Sequence, residues 1–318
     1  MEKKLISVII PAYNHEKYVQ ETIRSIMEQS YTPLELIIID DGSTDSTYDR
    51  IAEMEEACRA RFVRFERHTQ PNQGTCVTIN RLLSLAQGEY VALIASDDKY
   101  TPTALAELCR ALDGREDAAL AVGDNLIMDS ESRPCYWDER RNIVYDKAAA
   151  RWQNFTEYLQ EKQRMSFDSP AFGSYEKLLL SNHVPNGYLI RRSIFEKTGP
   201  FTKEAPLEDY WLMLQIAKHA RMIYVHADTF YYRWHAANTM KQTEKIRAYT
   251  AQTLRHEYAS VQQSGDERAL RAFAQATRKN ILRLPGLLSL YKEKTPLART
   301  LYLSLLGLRI PLSVKKSF

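Results

Sequence analysis

The chain has 318 residues, 44% of them hydrophobic and 26% charged, with a formal net charge of +3 at pH 7. These proportions suit a folded soluble protein, and so small a charge excludes a nucleic-acid partner held electrostatically over the whole surface. The length exceeds one compact α/β domain and falls short of two, so a catalytic domain over residues 1–240 with an appendage at 241–318 is expected.

Four cysteines, Cys58, Cys76, Cys109 and Cys135, are scattered without a CxxC pair, which argues against zinc and against a disulfide framework. Met1-Glu2-Lys3-Lys4 runs straight into a strand, so no signal peptide is expected. No apolar run reaches the roughly 18 residues of a membrane span, and a cytoplasmic chain is the expectation.

Leu5-Ile6-Ser7-Val8-Ile9-Ile10 reads as a buried strand ending at Pro11-Ala12-Tyr13-Asn14, where Asn14 is placed to cap the next helix. Tyr18, Val19, Thr22, Ile23, Ile26 and Met27 recur at helical spacing and predict one buried stripe. Leu34-Glu35-Leu36-Ile37-Ile38-Ile39 is a second strand, closed by Asp40-Asp41 and followed by the turn Gly42-Ser43-Thr44-Asp45 and a helix to about Cys58. A short strand at 62–65, the loop Gln70-Pro71-Asn72-Gln73-Gly74 and a helix ending near Gln87-Gly88 lead to a strand at 90–95, closed by Asp97-Asp98. Pro102 opens another helix, where its missing N–H costs little, and 118–122 reads as a further strand. Alternation of strand and helix predicts βαβ units and a mostly parallel sheet. Residues 124–174 are polar and aromatic and predict few elements. A strand at 188–191, a helix at 207–219 and strands at 222–225 and 229–233 follow, and from Glu244 the spacing reads as helical to the end.

Two carboxylate pairs therefore stand at predicted strand ends. Strands this apolar are buried on both faces, and ligands of open α/β sheets bind beyond the carboxyl ends of the strands. Two acidic pairs on one rim repel each other unless they meet a cation or hydrogen-bond donors, which points to a bound metal and a polar ligand.

The series Ser7-Val8-Ile9-Ile10-Pro11-Ala12-Tyr13-Asn14, Ile39-Asp40-Asp41-Gly42-Ser43-Thr44-Asp45 and Ala95-Ser96-Asp97-Asp98, in that order, resembles the family 2 glycosyltransferases over about residues 5–240. The resemblance implies an α/β chain with the GT-A fold. This comprises a Rossmann-like nucleotide-sugar half with a mostly parallel central sheet (about 1–123), an acceptor half (124–240) and a C-terminal helical appendage. It implies that Pro11, Tyr13, Asn14 and Asp41 bind the nucleotide, with Tyr13 as a wall for a uracil base and Asp41 as acceptor for its N3–H. Core packing of Tyr13 and turn chemistry at Asp40-Asp41-Gly42 are the plain alternatives, and neither accounts for all three strand ends together. Asn72-Gln73-Gly74 resembles the loop flanking base and ribose, with Asn80 further along its helix; an ordinary helix start is the alternative.

Ser96-Asp97-Asp98 resembles the family's DxD motif. A departing nucleoside diphosphate needs its growing charge neutralised by a hard divalent cation. The resemblance thus implies Mg²⁺ or Mn²⁺, with Asp98 as the direct ligand and Asp97 either nearer the ribose or supporting the ion's ligands without touching it. Ser96 at the first position leaves one carboxylate fewer to grip the ion. Ala205-Pro206-Leu207-Glu208-Asp209-Tyr210-Trp211-Leu212 matches the family's Glu-Asp motif and gives Asp209 the role of general base toward the acceptor hydroxyl. Stabilisation by the helix dipole is the alternative. Tyr232-Arg233-Trp234-His235, followed by Asn238-Thr239, resembles the YRxH segment, which puts His235 at the metal or pyrophosphate and Arg233 against phosphate. The QxxRW motif of processive members does not occur, so transfer of one sugar is expected. Specificity is expected to lie in 124–174 and the acceptor loops.

From Ile281 to Phe318 apolar clusters alternate with Arg283, Lys292, Lys294, Arg299, Arg309, Lys315 and Lys316, with Glu293 the one acid. Leu297, Leu301, Leu305 and Leu308 share one helical face, broadened by Tyr302, Leu303, Leu306 and Ile310. A basic amphipathic helix predicts docking on an anionic membrane surface; packing on the catalytic domain or on a homodimer partner is the alternative. Together these features imply an inverting, non-processive, metal-dependent hexosyltransferase. It would use a UDP-linked or other nucleotide sugar and a glycan or lipid-linked acceptor, in bacterial surface polysaccharide assembly at the inner membrane face. A sugar-phosphate nucleotidylyltransferase would need a Gly-rich basic loop where Pro11-Ala12-Tyr13-Asn14 stands, and a non-catalytic relative would be expected to lose a metal or base carboxylate.

Overall fold

The computed structural model describes residues 3–276, 278–284, 288–294, 298–305 and 308–316. β1 (Ile6–Ala12), β2 (Leu34–Asp40), β3 (Arg64–Thr69) and β4 (Tyr90–Leu93) are parallel and lie in the order β3-β2-β1-β4. The crossovers contain α1 (Val19–Met27), α2 (Thr47–Ala52), α3 (Glu55–Arg61) and α4 (Thr75–Leu85). Val8, Ile10, Leu36 and Ile38 join the helical stripe Val19, Ile23 and Ile26 in one core cluster, while Ile9, Ile37, Ile39 and Val91 join Leu82 in another. Helices thus cover both faces, which is why β1 and β2 are continuous apolar runs instead of alternating ones.

The chain continues through β5 (Lys99–Tyr100), α5 (Ala104–Leu112), β6 (Ala118–Met128), β7 (Pro134–Trp137), β8 (Ile143–Val144), α6 (Phe155–Gln163), α7 (Tyr175–Leu178), β9 (Leu189–Arg191), α8 (Phe195–Thr198), α9 (Glu208–His219) and β10 (Arg221–Arg233). The sheet extends from β4 in the order β4-β9-β6-β10-β5. β9 is antiparallel to both β4 and β6, β10 is parallel to β6, and β5 is antiparallel to β10. The result is a mixed α/β architecture with a mostly parallel central sheet, as the strand–helix alternation predicts. The register pairs Ala12 with Asp40 and Asp40 with Thr69, so Tyr13, Asp41 and the loop at 70–74 leave the sheet along one edge.

Residues 124–174, from which little could be placed, build an aromatic cluster behind the end of β10. Trp137 is fully buried, with Trp234 at 4.7 Å between ring centroids, and Tyr232 stacks on Phe155. Asn14 does not cap α1, which begins only at Val19. At φ 52° it donates its backbone N–H to Ser43 Oγ (2.9 Å) and accepts the Thr44 N–H on Oδ1 (2.8 Å), tying the end of β1 to the turn after β2.

α10 (Thr243–Ser264) and α11 (Glu267–Ala276) are helical as expected. The fully buried Glu257 accepts hydrogen bonds from Tyr175 and Gln215 and pairs with Lys218, fixing α10 to α7 and α9. After Ala276 the helical expectation fails. β11 (Arg278–Leu284), β12 (Leu288–Lys294), β13 (Ala298–Leu305) and β14 (Leu308–Lys316) form a separate antiparallel sheet in chain order. The leucines that fit a helical period also alternate at Leu301, Leu303 and Leu305, a period of two. Leu297 and Leu306 of the expected helical face lie outside the described residues. Among the described residues no helix is long and apolar enough to cross a membrane.

Candidate active site

A cavity of about 870 Å³ opens at the carboxyl edge of the sheet. Pro11, Tyr13, Asp41, Asn72, Gly74, Asp97, Asp98, Asp209 and His235 all line it, which brings most of the expected site residues into one space. Its lining, among the described residues, includes none between 99 and 185, so the 124–174 segment stands behind the site and not in its wall. α10, expected to be an appendage, contributes Lys245, Ile246 and Tyr249.

Within the cavity Asp41 organises the loop that follows β3. Its Oδ1 accepts from Gln70 Nε2 (2.8 Å) and the Gln73 N–H (2.9 Å), and its Oδ2 accepts from the Gly74 N–H (2.8 Å). A carboxylate offers about four acceptor positions, so about one remains for a ligand donor. Gly42 makes the close approach possible: it sits at φ +72°, and a Cβ there would lie 2.6 Å from the Asn72 nitrogen. Tyr13 is 44% exposed at the cavity mouth, so it is not a core residue. Asn80 faces away from the cavity and pairs both ways with the Phe201 backbone (2.8 Å each), holding the segment that leads to Glu208-Asp209.

The acidic pair divides its roles differently from expectation. Asp97 Oδ2 lies 2.9 Å from His235 Nε2 and 3.7 Å from His15 Nε2, and ligand-capable atoms of these three residues are all within 4.8 Å of one another. Asp98 instead turns its Oδ1 to the backbone N–H of Arg233 (2.8 Å). Burial raises the Asp97 pKa, but the His235 hydrogen bond and the nearby imidazoles outweigh it and hold the carboxyl below the ordinary range. Burial and then the charge of Asp97 push Asp98 well above that range. The coupled pair therefore carries its charge on Asp97, beside the histidines. One carboxylate and two imidazoles are donors that a divalent cation accepts, so the fitting ligand is Asp97, where Asp98 was expected.

Arg233, expected against phosphate, is not among the residues lining the cavity. It is fully buried, with Nη2 on Glu21 Oε2 (2.6 Å), Nε on the Asp97 carbonyl (2.6 Å) and its guanidinium carbon 4.6 Å from the Tyr18 ring centroid. It is an internal strut that sets its positive charge behind the acidic pair. His15 was missed by the sequence reading because a lone histidine in a turn has no ligand spacing. Its one signal is position, since it follows the end of the first strand on the same rim as Asp97. Burial holds its pKa below the usual imidazole range, favouring the neutral form that binds metals.

Glu208 and Asp209, which also line the cavity, begin α9. Asp209 Oδ1 accepts the Tyr210 N–H (2.6 Å) and Oδ2 accepts from Asn182 Nδ2 (3.2 Å). Burial raises the Asp209 pKa, and burial together with the charge of Asp209 pushes Glu208 up to about 7. A carboxylate whose pKa is shifted toward neutrality can both carry charge at working pH and accept a proton.

Known proteins resemble this chain in sequence and fold. TuaG of Bacillus subtilis, a glycosyltransferase assigned by name to teichuronic acid biosynthesis, is 33% identical over 147 residues, 46% of this chain and 57% of TuaG. The chain thus spans little more than half of that relative. A mannosyltransferase from Pyrobaculum calidifontis, solved with GDP-mannose and Mn²⁺, superposes with a TM-score of 0.59 at 15% identity, over 81% of this chain and 65% of its own. S. aureus TarS, solved with UDP-GlcNAc, gives 0.51 at 17% identity, over 74% and 60%. These likenesses identify the fold as GT-A. The model of glycosyl transferase family 2 matches residues 7–184, more than half of the chain, and the protein belongs to that family.

Proposed function

We propose that the protein transfers one hexose, with inversion, from a nucleotide diphosphate sugar to a hydroxyl of a glycan or lipid-linked glycan in bacterial surface polysaccharide synthesis. One observation carries this reading. A single cavity is lined by the Asp41 loop, the Asp97–His235 cluster and the half-buried Glu208-Asp209 pair together. The remaining acceptor position of Asp41 suits a uracil N3–H, with Tyr13 beside the base. A bound Mg²⁺ or Mn²⁺ would neutralise charge on the leaving diphosphate, and Asp97 and His235 are the residues that would hold it. Asp209 would take the proton of the acceptor hydroxyl as that oxygen attacks the anomeric carbon in line with the departing phosphate. Arg233 would keep Asp97 and Asp98 in place without touching the donor. The test is a panel of nucleotide sugars incubated with Mn²⁺ and glycan acceptors, scored by release of nucleoside diphosphate. Release from a UDP-hexose that stops with EDTA is the expected result, and no release or saturable binding with any member of the panel overturns the reading.

A further inference from the structure

We infer that His15 is a third protein ligand to the divalent cation, and that it shifts the site toward Mn²⁺ and other imidazole-binding metals over Mg²⁺. The inference rests on the cation reading above and goes beyond it. His15 stands in the turn after β1, far in sequence from Asp97 and His235, yet its Nε2 lies 3.7 Å from Asp97 Oδ2. His235 Nε2 approaches the same oxygen at 2.9 Å. Neighbouring ligands about 2.1 Å from one octahedral ion are about 3 Å apart, so the His235–Asp97 pair is already at chelating separation and His15 needs only a small shift to join it.

The other ring nitrogen fixes the orientation. His15 Nδ1 lies 2.8 Å from Ser96 Oγ, and Ser96 is almost fully buried. With the hydroxyl accepting the Nδ1–H, Nε2 is the deprotonated nitrogen and points its lone pair at the cluster; metal-bound histidines are usually steered in this way. The serine that costs the acidic motif a carboxylate therefore serves the site by orienting an imidazole. The donor set becomes two nitrogens and one oxygen. Mg²⁺ prefers oxygen ligands and retains its waters, whereas imidazole suits transition metals.

The test uses the full-length protein and Mn²⁺ alone. Pulsed electron paramagnetic resonance should show two directly bound imidazole nitrogens in the wild type and one in His15→Ala. Calorimetry should show Mn²⁺ bound at least about tenfold more weakly by His15→Ala and nearly as weakly by Ser96→Ala, the usual scale for loss of an orienting partner. Mg²⁺ affinity should change far less. One nitrogen in the wild type overturns the assignment whatever the variants do, and so does unchanged Mn²⁺ affinity in a folded His15→Ala. In those cases Mn²⁺ still binds and the cation reading stands; only a wild type that binds no Mn²⁺ removes both.

Discussion

A half-buried carboxylate with a raised pKa becomes a useful base only where something can deliver it a proton, and Asp209 meets that condition by lining the cavity. Asp209→Asn keeps the shape and removes the base, so turnover should fall by about two to four orders of magnitude while donor affinity, measured by calorimetry, stays the same. Near-normal transfer would leave Asp209 as a helix-terminus carboxylate. Its neighbour has a separate consequence for stability. Glu208 is raised from 4.5 to about 7, so the folded state holds its proton more tightly than the unfolded chain does. The stability this supplies is full below about 4.5 and is lost as pH rises through about 7. Glu208→Gln should therefore raise the melting temperature at pH 8 relative to wild type and give no such gain at pH 4. That Asp41, Asp97, His235 and Asp209 share one cavity was legible because each sits in a motif at a strand or helix end. The burial of Arg233 was not, because a motif does not give the direction of a long side chain. The choice between Asp97 and Asp98 turned on two histidines, one of them outside any motif.

Among the elements, the loop at 70–74 depends on a backbone geometry that only glycine meets easily. Gly42→Ala would place a methyl group 2.6 Å from the Asn72 nitrogen at a positive φ, forcing the loop off Asp41. The expected cost is about 1–3 kcal/mol of stability, read by urea unfolding, with a parallel loss of UDP affinity; unchanged UDP affinity would show that the loop does not shape the base site. Parallel strands and their helices were readable because both faces of β1 and β2 are covered, leaving runs of Val, Ile and Leu. The tail was misread because its leucines satisfy two periods at once, and pairing between strands selected the period of two. α10 looked like an appendage because its sequence carries no motif, although packing of Glu257 against α7 and α9 makes it part of the site wall.

For the whole molecule, the tail keeps its basic residues although its described backbone is stranded and not helical. Charges near an anionic membrane are worth about 1 kcal/mol each and weaken as salt shortens the Debye length. Full-length protein should float with anionic liposomes at low salt, and a chain ending at Ala276, which keeps α10 and α11, should not. Equal flotation of both would assign the tail to packing between or within molecules. No interfacial helix is required for this result.

The three-residue strand β9 has a consequence for how the protein can be made and recombined. It is the last of the central strands but one to be synthesised, yet it lies between β4 and β6 and pairs with both. A nascent chain that has reached residue 123 therefore has two apolar strands with bare edges and no common partner. Such edges invite pairing between molecules, so an isolated fragment 1–123 should aggregate, while one extended through β10 and α11 should remain monodisperse in size-exclusion chromatography. Residues 1–123 and 124–240 are thus not interchangeable cassettes. A chimera that exchanges 124–240 with a relative must bring a β9 able to zip both sides of its new sheet, or the sheet will not close.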